Sequence, residues 1–128
     1  MSKQALKFVS DGMEAIGLEY DFETFKKKPI VYPYFVGQYT EQEPQTEDGL
    51  QESTFMLTGF HRGEWLALED AKEKIENYFN RVSGKTAITD NGSAVAVFYM
   101  GSLIVPTGDD DLKSIQINLQ VKEWKVNN

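Results

Sequence analysis

The chain of 128 residues carries 20 acidic and 13 basic residues, one histidine, no cysteine and an aromatic fraction of 12%, for a formal net charge of -7. That length suits one compact domain spanning 1–128, and a hydrophobic fraction of 41% is too high for a chain that stays disordered for want of apolar burial. Zero cysteines exclude disulfides, thiolate nucleophiles and cysteine-ligated metals, and net negative charge opposes sequence-specific contact with phosphate backbones.

The first element reads as a helix. Ala5, Phe8, Val9, Gly12, Met13 and Ile16 recur at three-and-four spacing, which places them on one face; Ser2 is the expected N-cap and Gly17 the stop. Lys3, Lys7, Asp11 and Glu14 interrupt this region, so it lacks the apolar run of a signal peptide. No other segment approaches the roughly 18 apolar residues of a membrane span, and the expectation is a soluble protein with no membrane contact. Leu18 to Phe25 begins by alternating and fits a short strand or an extended connector. Lys26, Lys27, Lys28 and Pro29 mark a turn.

Ile30 to Tyr39 is rich in aromatic and β-branched residues, which suit a pleated, half-buried surface. Pro33 cannot donate a ladder hydrogen bond, so this strand lies at an edge or starts after the proline. A polar stretch with Pro44, Asp48 and Gly49 separates it from a second run, Gln51 to His61, and the pair predicts a hairpin with a long loop. Leu68, Ala71, Ile75, Tyr78, Phe79 and Val82 form the apolar stripe of a second helix ended by Ser83 and Gly84. Lys85 to Ser93 reads as turn-rich, with Thr86 to Thr89 a short extended piece. Ala94 to Val105 is the most apolar run and predicts a central strand with a bulge at Gly101. In the last strand Ile115, Ile117, Leu119 and Val121 alternate with Ser114, Gln116, Asn118 and Gln120, the pattern of a sheet with one wet face or one face kept for a partner.

These elements predict an α+β fold: a four-stranded mixed sheet with two helices on one face, in the order helix-strand-strand-helix-strand-strand. If the second helix is a simple crossover, the strands it joins are parallel. The acidity is local. Glu41, Glu43, Glu47, Asp48 and Glu52 share one stretch without a base, and Asp109, Asp110 and Asp111 are consecutive; without those eight, 12 acids face 13 bases. The two acidic loops are expected at opposite ends of the sheet.

Chemistry is sparsely provided for. His61 has no second imidazole or cysteine with which to share a metal, and no serine nucleophile motif. Asp109 to Asp111 lack the alternating spacing of a calcium loop and read as a solvated turn. No phosphate-binding glycine loop is present. The expectation is therefore a protein without catalytic or metal-binding residues and without a cofactor. Trp65 and Trp124 serve either as core or as interface anchors. With Tyr34 and Tyr39 they make up the candidate contact set for another copy or a partner.

Tyr32-Pro33-Tyr34-Phe35-Val36-Gly37-Gln38-Tyr39 followed by Glu47-Asp48-Gly49 resembles the first hairpin of the tail-terminator, or tail-completion, proteins of long-tailed phages. The likeness continues in Glu52-Ser53-Thr54-Phe55-Met56-Leu57-Thr58-Gly59-Phe60, in Arg62-Gly63 and through the Leu66 to Phe79 helix, covering well under half of the chain. The resemblance implies an α+β protein of the virion tail, present in the host cytoplasm during assembly. It implies a homo-oligomeric ring, usually a hexamer, that caps the tail tube, stops its growth and offers the head-joining surface without catalysing a reaction. Its partners would be itself, the tail tube protein and a head-completion protein. Glu41, Glu43, Glu47, Asp48, Asp109, Asp110 and Asp111 would then face a channel through which DNA passes without being bound, because like charges repel. Two rivals are an acidic inhibitor that mimics nucleic acid and, last, a hydrolase using the loop carboxylates.

Overall fold

A computed structural model describes residues 1–42, 49–89 and 92–125. In chain order the elements are α1 (Lys3–Ala15), β1 (Glu19–Phe22), β2 (Tyr34–Glu41), β3 (Leu50–Arg62), α2 (Leu66–Tyr78), β4 (Lys85–Ile88), β5 (Ala94–Val105) and β6 (Leu112–Trp124). The strands form one mixed sheet in the order β1-β2-β3-β6-β5-β4, in which β1 with β2 is the one parallel pairing among the described neighbours.

The fold is α+β, but the sheet has six strands, not the expected four. The two added strands, β1 and β4, are four residues each and lie at the two edges. The sequence predicts both segments only as short extended pieces; so few residues do not show whether an extended piece joins the sheet, which is decided by backbone pairing to a longer neighbour. Sequence order also conceals that the last strand is central: β6 pairs with β3 along one side and β5 along the other. β3 and β5, joined through α2 and β4, run parallel with β6 between them.

β2 begins at Tyr34, directly after Pro33, and is covered by β1 along Tyr34–Gly37. The β5 ladder shifts register between Tyr99 and Gly101, leaving Met100 unpaired as a bulge. That extra residue reverses the facing of the strand. Val95, Val97 and Tyr99 point into the core before it, and Ser102 and Ile104 share that side after it, as their pairing with Ile117 and Ile115 requires.

One sheet face builds the core. Phe35, Phe55, Leu57, Val97, Ile115, Ile117, Leu119 and Val121 pack with Ala5, Val9 and Met13 of α1 and Leu68, Ala71 and Ile75 of α2. Fully burying each large side chain contributes about 1.5–3 kcal/mol. Ser2 Oγ accepts from the Ala5 N–H at 3.1 Å, capping α1, and Gly17 takes the left-handed conformation (φ 74°) just past its end. α2 stops at Tyr78, earlier than its apolar stripe suggests. Phe79 leaves the helix, and Asn80 Oδ1 accepts from the N–H groups of Val82 and Ser83 in a turn that leaves Val82 exposed.

Candidate interaction surface

The opposite sheet face has no covering layer among the described residues. Its central rows, read across the paired strands, are Val36, Thr58, Gln116 and Leu103; Gln38, Met56, Asn118 and Gly101; and Thr40, Thr54, Gln120 and Phe98. These rows contain no charged side chain. Gln116 donates to Asn118 Oδ1 at 3.0 Å; Asp21 of β1 stands beside Val36 at the edge of the first row, and Glu52 and Lys122, 4.0 Å apart, flank the rows toward one end, with Lys122 Nζ 5.7 Å from the Phe98 ring. A face of hydroxyls and amides can exchange hydrogen bonds with a partner without desolvating an ion, which is the costlier event.

At the other end of this face the aromatics gather. Tyr34 and Phe60 are cross-strand partners whose rings stack at 5.3 Å, Phe25 lies 4.2 Å from Tyr34, and Tyr32 lies 5.5 Å away. Burial holds the Tyr34 phenol above its ordinary pKa, with Tyr32 adding to the effect. Arg62 extends from the end of β3 and meets Asp109 at 3.3 Å, with both side chains about half exposed. Hydrogen bonds to Tyr32 and then Asp109 raise the Arg62 pKa. The Asp109 carboxyl lies below its usual range because the Asp111 N–H donates to it at 2.9 Å and Arg62 stands beside it. His61 lies edge-on to Tyr32, its Nδ1 buried and without a hydrogen bond.

The sequence-predicted residues fall into separate places. Tyr34 and Asp109 come together through Tyr32 and Arg62, whereas Asp110 and Asp111 stay exposed in the same turn. Trp65 packs partly against the core and donates from Nε1 to Glu69 at 2.8 Å. Tyr39 points to the core side, stacked on Phe22 at 6.0 Å. Trp124 lies level with Leu50 and Ala94 at the far end of the sheet, 38% exposed. Glu41 is also at that end, where its carboxylate pairs with the Met1 ammonium. Glu43, Glu47 and Asp48 lie outside the described residues. Gln42 and Gly49, which flank them, are separated from Asp109–Asp111 by the length of β3, about 40 Å for 13 residues.

Sequence reasoning passed over Arg62 as a site residue and missed the uncharged central rows of the uncovered face. The first was hidden because its partner Asp109 is 47 positions away. The second was present in the sequence as the run of uncharged polar residues alternating along β3 and β6. Among the described residues no group of three or more histidines or carboxylates is placed to hold a metal ion. A surface cavity of about 390 Å³ opens beside β1, lined by Ser10, Glu14, Leu18, Tyr20 and Lys27 among others.

No protein-family model matches this chain, and no curated protein matches it. Its fold is similar to that of a chain in a solved structure of the virion of a native gene transfer agent particle. The TM-score is 0.63 over 95% of this chain and 90% of that one, at 8% sequence identity, so the likeness is one of fold.

Proposed function

We propose that this chain is a virion structural protein that acts as a tail terminator: a ring, most simply a hexamer, that caps the completed tail tube, stops its growth and presents the surface to which the head joins. The observation that carries the reading is the shared fold, over nearly the whole of both chains, with a component of a virion particle. The resemblance of the β2–β3 hairpin and α2 to tail-terminator proteins makes it specific. A sheet face whose central rows carry no charge on β2, β3, β6 and β5, bounded by aromatics at one end, suits a subunit that works by contact. In this role it catalyses no reaction, and its partners are its own copies, the tube protein and a head-completion protein. DNA passes through the ring unbound. The protein resides in the virion tail after assembly in the host cytoplasm.

The nucleic-acid-mimic reading is disfavoured by the placement of the acids. The triple aspartate turn and Glu41 stand at opposite ends of the sheet, with rows of uncharged residues on the four central strands between them, and do not form a continuous array. Electron microscopy of tails assembled with and without the protein tests the proposal. Tails of uncontrolled length are expected in its absence. Tails of normal length lacking only heads would remove the growth-stopping role, and unchanged particles would remove the whole reading.

A further inference from the structure

The two edges of the sheet are cut into steps that fit one another. On one side β4 covers only Ala94–Val97 of β5, and the Tyr99 N–H is taken by the Phe79 carbonyl at 2.9 Å. Beyond that point no described strand pairs with Gly101–Val105 on the side away from β6. This free stretch contains no charge and no proline, and Leu103 and Ile104 are 48% and 69% exposed. Alternate N–H and C=O groups along it point outward, and an unguarded apolar edge of this kind is a template for another strand.

On the opposite side β1 covers only Tyr34–Gly37 of β2 and so projects by one strand width, about 4.8 Å. The ladders place both steps at one height. Glu19, Tyr20, Asp21 and Phe22 are level with Phe60, Gly59, Thr58 and Leu57 of β3 through β2, and Val105, Ile104, Leu103 and Ser102 are level with those same residues through β6. The directions agree as well, since β1 and β5 run oppositely. A projecting β1 therefore fits the recess beside β5 of a second copy in antiparallel register, with Tyr20 and Ile104 both on the helix side of the joined sheet. The cavity beside β1 opens next to Tyr20.

We propose that successive copies of this chain join edge to edge, β1 of one pairing with Gly101–Val105 of the next, so that one sheet runs continuously through the assembly. This deepens the ring reading and rests on it: the two surfaces are different and complementary, which is the head-to-tail contact a closed ring requires. On the β1 side Lys27 Nζ donates to the Tyr20 carbonyl at 3.2 Å and meets Glu19 at 3.4 Å. That exposed lysine blocks the edge in the single copy and swings outward when the neighbour's strand replaces it.

The cysteine-free chain makes the test direct. In the full-length protein, Asp21→Cys and Leu103→Cys place two thiols level with each other across the proposed contact. On mild oxidation the double variant is expected to give a ladder of covalent multimers, and each single variant none. Glu19→Cys with Val105→Cys repeats the measurement one pair along. Dimers from Leu103→Cys alone would show β5 pairing with itself and overturn the proposal. Light scattering on the same samples separates the two readings: oligomers without a ladder from either pair overturn the contact and leave the ring, whereas monomers without a ladder overturn both. Ile104→Lys is expected to abolish multimers at an unchanged melting temperature; multimers that persist in it count against the edge.

Discussion

Phe35 and Gly59 face each other across the β2–β3 ladder, and the Phe35 ring lies so close over the glycine that a Cβ there would stand 2.3 Å from Cε1. The neighbouring rows repeat the device, with Phe55 lying over Gly37. Two large rings thus occupy a narrow hairpin because each has a residue without a side chain beneath it. Gly59→Ala forces the fully buried Phe35 off its position, and overpacking of this kind costs about 1–3 kcal/mol. The urea midpoint should fall accordingly, and the double variant G59A/F35L should recover part of the loss. A G59A protein as stable as the parent would mean that the hairpin has slack the geometry does not show.

Ser2 joins the first turn of α1 to the last turn of chain in β6. Its Oγ accepts from Ala5 and donates to the carboxylate of Glu123, which is buried. Ser2→Ala removes a cap worth about 1 kcal/mol and one partner of that carboxylate. A loss of about 1–2 kcal/mol in chemical denaturation is expected, and Ser2→Thr should restore most of it.

The Trp65–Glu69 pair gives a pH-dependent signal of known sign. The hydrogen bond from Trp65 and then that from Lys72 lower the Glu69 pKa from its ordinary 4.5. A depressed folded value means that the stabilisation is present above the unfolded pKa and is lost as pH falls through the folded one. With Trp124→Phe leaving Trp65 as the sole indole, emission should stay constant from neutral pH down to the ordinary glutamate range and change only below it. Glu69→Gln should abolish the transition, and a midpoint above 4.5 would contradict the geometry.

The triple aspartate turn is held on either side by Thr107 and Lys113, so the Asp109 carboxylate is not its sole tie. Thr107 Oγ1 donates to the Leu112 carbonyl at 2.7 Å, and Lys113 Nζ donates to the Asp110 carbonyl at 2.9 Å. Alanine at Asp109, Asp110 and Asp111 together should leave the fold intact by circular dichroism. A chelator should leave the melting temperature of the parent protein unchanged; a large drop would identify the turn as a cation site.

Long elements were legible in the sequence as members of the sheet, and short ones only as extended pieces. Ile115 to Val121 alternates over enough residues for a two-residue period to emerge, and Ala5 to Ile16 completes three helical turns. Glu19–Phe22 and Lys85–Ile88 were legible only as short extended pieces, and their place in the sheet follows from the backbone partners that β2 and β5 offer them. The early end of α2 was hidden for a related reason: Phe79 continues the helical spacing of the stripe, yet Asn80 competes for backbone donors and turns the chain. For the surface, Tyr34 was legible as a strand aromatic. Its neighbours Phe25, Phe60 and Arg62 required the ladder register, which no local pattern encodes.

The position of β6 has a consequence for how the protein is made. β6 follows both β3 and β5 in the chain and is the strand on which each depends, so during translation neither can complete its sheet until residues 112–124 have left the ribosome. Until then the nascent chain presents Ala94–Val105, its most apolar segment, with no central partner. Chains truncated before Leu112 are expected to aggregate and not to accumulate as a folded subdomain. The sheet is thereby closed in one step, and only on chains that carry β6.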